Sequence, residues 1–187
     1  MERDGWIQTY TGRQVWPLEA AGEFCLEDIA HALSQICRYG GHTSRFYSVA
    51  EHSVYASQII APEHALWGLF HDAAEAYIGD ITRPVKRQMY VGDGMFGVEY
   101  RRIDRVETEL LLQIATMVEL PWPPPWKAIE EADLSLLRTE RNVLMTSPPA
   151  PGSELGASGP EAPIVIQGLT PTLAKAMFLR RLEELRR

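Results

Sequence analysis

Residues 62–79 read PEHALWGLFHDAAEAYIG, and this stretch decides the fold. Its apolar residues run round most of a helical circumference, so the spacing predicts the most buried helix of the protein, opened by Pro62 in its first turn and stopped near Gly79. Into that run are set His71 and Asp72, with Glu75 one turn later. Burying a carboxylate is costly unless a cation or hydrogen-bond donors compensate it. Two arrangements answer that cost here. Either a divalent cation sits beside Asp72, or Asp72 caps or pairs with an arginine while His71 makes a single hydrogen bond in the core. A dipeptide alone does not separate them.

Outward from this helix the pattern stays helical. Upstream, the spacing predicts a helix from Val49 to Ile60 and another over 26–39, through Leu26, Ile29, Ala30, Leu33, Ile36 and Cys37, stopped by Gly40-Gly41. Cys25 and Cys37 are both placed on that one helix without a close partner set, which supports neither a disulfide framework nor a cysteine zinc site. Before it, WIQTYTGRQVWPL alternates around Thr11-Gly12-Arg13, the pattern of a small β-hairpin over 6–17. Downstream, residues 80–97 read as a loop with at most a short helix around Pro84 to Met89. An amphipathic helix follows from Val98 to Glu119, then the rigid connector PWPPPW and a helix from Trp126 to Met145. Residues 147–163, rich in Pro, Gly, Ser and Ala, read as a flexible surface loop, and a final helix spans 171–187. The expectation is a single all-α domain, a helical bundle with core 26–146 and a small N-terminal hairpin.

The 187 residues are 45% hydrophobic and 23% charged, with a formal net charge of -7. That length suits one domain. No apolar run reaches the ~18 residues of a membrane span, so no membrane role is expected. The negative balance disfavours a nucleic-acid polymer as partner, and a phosphorylated ligand must be met locally, with metal assistance. MERDGWIQ has neither the basic start nor the apolar core of a signal peptide, which fits a cytoplasmic protein. Self-association into a homo-oligomer is left open.

Two further residues join His71 and Asp72: His52, near the start of the preceding helix, and Asp133, between Ala132 and Leu134. Two imidazoles and two carboxylates form a mixed nitrogen and oxygen donor set suited to Mn, Fe, Co, Zn or Mg, with room for water and substrate. Glu75 lies four residues after His71 and three after Asp72, so on a helix its carboxylate projects near the same face, within reach of a water at the site. Its plain alternative is a surface glutamate. Glu140, seven residues after Asp133 on the same helical face, is either a partner behind a metal ligand or a solvated charge.

The pattern His52, His71-Asp72, Asp133 resembles the HD-domain metal-dependent phosphohydrolases. More narrowly, RFYSVAEHS, ALWGLFHDAAEAYIGDITRPVK and EADLSLLRTER resemble the branch with bacterial 5′-deoxynucleotidases and phage deoxynucleoside triphosphate hydrolases, over about residues 26–146. The resemblance implies an HD-domain helical bundle in which His52, His71, Asp72 and Asp133 bind the metal, Glu75 handles the attacking water and Asp80 sits near the sugar. It also implies that Arg38-Tyr39 stands where relatives carry an Arg-Trp pair that contacts phosphate and nucleoside. Here Tyr replaces Trp, and the spacing to His52 is one residue shorter. His42 and Arg45 are rival phosphate contacts, and Arg38 is alternatively a surface arginine at a helix end.

The expected function is therefore hydrolysis of the 5′-phosphate of deoxynucleoside monophosphates. Deoxynucleoside triphosphate hydrolysis is the alternative within the class, and a non-catalytic metal- or nucleotide-binding scaffold the alternative outside it. GDGMFG (92–97) matches a dinucleotide-binding pattern but follows no convincing strand, and reads as a lid. Lys86 and Arg87 read as a solvated basic turn or, alternatively, as contacts for distal phosphates, His31 and His64 as structural or exposed, and the Trp residues of PWPPPW as packing anchors, with a proline-rich partner motif the alternative.

Overall fold

The computed structural model describes residues 5–92, 100–147 and 159–187. The chain is mostly helical, with a small antiparallel sheet at its N-terminal end. The expected hairpin is present as β1 (Ile7–Gln8) and β2 (Gln14–Trp16), but a third strand, β3 (Ala21–Gly22), returns against β2. The sheet is tied to α1 (Leu26–Gln35), because Thr11 donates from its backbone N–H (2.7 Å) and hydroxyl (2.9 Å) to Asp28.

α1 ends four residues earlier than its apolar spacing suggested, and the two cysteines do not share it. Cys25 precedes the helix and caps it, its sulfur accepting the Asp28 N–H at 3.4 Å. Cys37 follows the helix in an extended bridge to Ser48. Ser48 in turn caps α2 (Val49–Ile59) by accepting the Glu51 N–H at 3.1 Å. In a capping box the glutamate at this position reaches back to the cap. Glu51 instead turns outward from its helix and accepts three consecutive backbone N–H groups, those of Gln167 (3.0 Å), Gly168 (2.9 Å) and Leu169 (2.7 Å), with the Tyr55 hydroxyl at 3.0 Å. A fully buried carboxylate thus straps the segment before the last helix onto α2.

The stretch 62–79 is not one continuous helix. Pro62–His64 form a 3-10 turn, α3 covers Ala65–Phe70, residues 71–74 turn, and α4 covers Glu75–Ile78. Across the junction, the N–H groups of Ala73, Glu75, Ala76 and Tyr77 each bond the carbonyl three residues back. The chain is wound tighter there than an α-helix, which places side chains three apart nearly in line. α3 lies close against α2 because Gly68 has no side chain: a Cβ there would come within 2.8 Å of the Ser57 Cα.

α5 (Arg83–Lys86) is shorter than the helix expected at Pro84 to Met89. The helix expected from Val98 begins later, as α6 (Ile103–Met117), because Arg101–Arg102 (β5) pairs instead with Tyr90–Val91 (β4) in a hairpin that the weak periodicity did not reveal. The GDGMFG stretch and the loop at 147–163 lie largely outside the described residues. α7 (Trp126–Leu144) and α8 (Pro171–Leu185) match their expected spans to within two residues.

The main core gathers Ile29 and Leu33 of α1, Val54 of α2, Phe70 of α3, Leu110 and Ile114 of α6, and Phe178 of α8. A smaller cluster joins Tyr47 and Tyr55 to Leu136 and Leu144 of α7. α2 faces both clusters, and that central position makes it the platform for the site. Trp122 packs edge-on against Trp67 and Trp126, so the PWPPPW tryptophans do serve as packing anchors, although Trp122 and Trp126 keep exposed faces. His31 stacks on Tyr10 at 3.7 Å. Among the described residues no helix is long and apolar enough to cross a membrane.

Candidate metal centre

The first turn of α2 carries His52, which is fully buried. Its Nδ1 lies 2.6 Å from Glu140 Oε1 on α7. An ionised carboxylate only accepts, so Nδ1 donates and Nε2 is the ring nitrogen directed away from Glu140. His71, at the end of α3, is oriented the same way by a different partner: its Nδ1 donates to the Gly68 carbonyl at 2.8 Å. Gly68 therefore brings α3 against α2 and also sets the ring that the junction carries.

The two Nε2 atoms lie 3.3 Å apart, and Asp72 Oδ2 is 3.2 Å from that of His71 and 3.6 Å from that of His52. His52, His71 and Asp72 each offer a ligand atom within 4.8 Å of the others, and could hold a metal ion. Asp133 on α7 comes near but stands outside this mutual triad. Its Oδ1 is 3.4 Å from His52 Nε2, while Arg38 and Arg83 approach its two oxygens at 3.7 and 3.4 Å. Two imidazole nitrogens with adjoining carboxylate oxygens suit a first-row divalent cation.

An open cavity of about 260 Å³ adjoins the cluster, with Arg38, Tyr39, Asp72, Glu75, Asp80, Lys86 and Asp133 in its wall. Arg38 opens a 3-10 turn and is largely buried, not a surface arginine at a helix end. Its guanidinium meets Asp72 at 3.2 Å and Glu140 at 3.5 Å. Tyr39 follows in the left-handed region at φ 59°, a conformation disfavoured for a side-chain-bearing residue. Two bonds hold it there: its N–H donates to Asp80 at 3.1 Å, and its hydroxyl donates to Glu140. His42 and Arg45, from the following turn, are exposed and are not among the cavity-lining residues. Arg45 donates to the Ile166 carbonyl at 3.0 Å instead.

Glu75 is nearly buried, brought over Asp72 by the tight winding at the junction. One carboxylate oxygen lies 3.6 Å from Lys86 Nζ, and the other is buried with no protein partner. Burial, with the charges of Asp72 and Asp80, pushes its pKa well above the usual carboxylate range. Lys86 is gripped by Glu107 of α6 at 2.8 Å, and is no solvated turn lysine.

The other charges follow from the same crowding. Burial alone would push Asp72 up, but the His71 imidazole beside it holds its carboxyl well below the ordinary range. Burial would lower His71, and Asp72 overrides that, raising it to about 9. Glu140 is likewise held low, the cost of burial being outweighed by Arg38 and His52. The phenols of Tyr39 and Tyr47 are pushed up by burial and by Glu140, so both remain donors.

His52, His71, Asp72, Glu75, Asp80, Asp133, Arg38 and Tyr39 are thus brought to one centre, while His42 and Arg45 are not. Glu140 is buried against His52 rather than being a solvated charge, and its seven-residue spacing from Asp133 was the available signal. Tyr47, Arg83 and Glu107 carried no sequence signal, because their places depend on how helices dock.

No family model matches the chain. Along its whole length it is similar to the uncharacterized protein YfdR of Escherichia coli (strain K12), 34% identical over 191 residues, covering 96% of this chain and 94% of that protein. It is also 29% identical over 191 residues to an uncharacterized protein of Rhodobacter capsulatus, covering 94% of this chain and 93% of that one.

Proposed function

The chain belongs to the YfdR family, and we propose that it is an HD-domain, metal-dependent phosphohydrolase of the cytoplasm that removes the 5′-phosphate of deoxynucleoside monophosphates. The observation that carries this reading is the convergence of His52 Nε2, His71 Nε2 and Asp72 Oδ2 within 4.8 Å at the edge of a cavity that Glu75 and Arg38 also line. His52, His71 and Asp72 hold the cation, with Asp133 as the fourth ligand. Such a cation supplies Lewis-acid charge to the phosphoryl oxygens and lowers the pKa of a water.

The protein's own groups perform the remaining work. Glu75 has one carboxylate oxygen with no protein partner, the requirement for a group that orients the attacking water and receives its proton. Burial and the charges of Asp72 and Asp80 raise its pKa, which strengthens it as a proton acceptor. Arg38, well above the ordinary arginine range despite its burial because Glu140 and its other acidic neighbours favour the charge, stays cationic and offsets charge on the phosphoryl group. Asp80 accepts from a sugar hydroxyl, and the Tyr39 ring flanks the nucleoside.

The test is a panel of nucleoside mono- and triphosphates incubated with Mn, Co, Mg or Zn, run beside Asp72→Ala. Release of inorganic phosphate from deoxynucleoside monophosphates, abolished in Asp72→Ala, is expected. Release of triphosphate from deoxynucleoside triphosphates would place the protein in the other branch. Nucleotide binding without cleavage under any metal would make it a scaffold.

A further inference from the structure

Glu140 is a fully buried carboxylate, a group that stays ionised only if its lone pairs are satisfied. Its two oxygens are satisfied from two different directions. Oε1 accepts from His52 Nδ1 at 2.6 Å and from the Tyr47 hydroxyl at 2.8 Å. Oε2 accepts from the Tyr39 hydroxyl, with Arg38 Nε 3.5 Å away. His52 presents its other nitrogen to the metal-binding triad, whereas Arg38 and Tyr39 line the cavity.

A carboxylate is planar and rigid, and Tyr47, itself fully buried, anchors the Oε1 side. A change in what Arg38 and Tyr39 hold therefore reaches the His52 ring through one group, without any helix having to move. Resting on the metal-dependent reading of the site, we propose that Glu140 is a positioning residue that couples the cation ligand His52 to the anion-facing pair Arg38-Tyr39. Cation and phosphate then favour each other's binding through it. Coupling of this kind is reciprocal, so it is measurable from either ligand. A carboxylate that merely neutralised buried cations would affect stability and leave this coupling untouched.

The experiment is calorimetric titration of Mn²⁺ into the metal-stripped full-length protein, with and without inorganic phosphate, for wild type, Glu140→Gln and Tyr39→Phe, with circular dichroism as the check on folding. Wild type is expected to bind Mn²⁺ and to bind it several-fold more tightly with phosphate present. Glu140→Gln, which keeps the shape but not the charge, should weaken Mn²⁺ about tenfold and lose the phosphate effect. Tyr39→Phe leaves the His52 bond in place, so it should weaken Mn²⁺ less than Glu140→Gln does while the phosphate effect shrinks. A folded Glu140→Gln with wild-type affinity and an intact phosphate effect overturns the proposal. If that variant does not fold, an undiminished phosphate effect in Tyr39→Phe overturns it equally. Wild-type protein that binds no Mn²⁺ overturns the metal-dependent reading itself, and this proposal with it.

Discussion

Asp80 accepts the backbone N–H of Tyr39 at 3.1 Å, joining the turn after α1 to the segment just after α4 in the wall of the cavity that both residues line. The bond holds Tyr39 in a left-handed conformation costing on the order of 1 kcal/mol or more, and it fixes the wall that Arg38 and Tyr39 form together. Asp80 is therefore part of the site's construction as well as a candidate contact for a sugar.

That double role separates two substitutions. Asp80→Ala removes the acceptor and should destabilise the protein by about 2 kcal/mol in urea unfolding. Asp80→Asn retains an oxygen acceptor and should lose clearly less. Equal losses would show that charge, not the acceptor, matters at this position.

Asp72→Ala and His71→Ala should each abolish Mn²⁺ binding in calorimetry, since each removes one of the three ligand atoms that converge. Either variant titrating like wild type would displace the metal centre from this cluster.

Glu75→Gln should lower kcat by roughly 10²- to 10⁴-fold, the range for loss of a general base, while leaving Mn²⁺ affinity nearly unchanged. The split matters because Glu75 lies outside the triad. A parallel loss of metal affinity would make it a ligand instead.

Glu51→Gln should destabilise by about 2 kcal/mol, because three backbone N–H groups at 167–169 lose a charged acceptor. Guanidinium melts report the size of the loss. A neutral outcome would show that the strap contributes little.

Gly68→Ala should cost about 1–3 kcal/mol by overpacking, since the added Cβ meets Ser57 backbone at 2.8 Å. It should also weaken Mn²⁺ binding, because the Gly68 carbonyl orients His71. Reduced stability with unaltered metal affinity would separate these two roles of Gly68.

Sequence alone determined the helices whose apolar faces repeat regularly, such as α2, α7 and α8, and it singled out His52, His71, Asp72, Glu75 and Asp133 as a group. Periodicity and residue chemistry are local properties, readable along the chain. It misjudged the junction at 71–74, because an α-helix and a tighter 3-10 winding share almost the same apolar pattern over a few residues. It missed β3 and the β4–β5 hairpin, whose two-residue strands carry too little alternation to register. Tertiary structure alone decided which oxygen of Glu140 meets His52 and which meets Tyr39, why Arg45 turns to Ile166 rather than to the cavity, and where Glu51 goes. Each of those contacts joins residues far apart in sequence. The donor and acceptor types were visible in the letters, but the pairing came from the docking of α2 against α3 and α7, which a close approach at Gly68 permits.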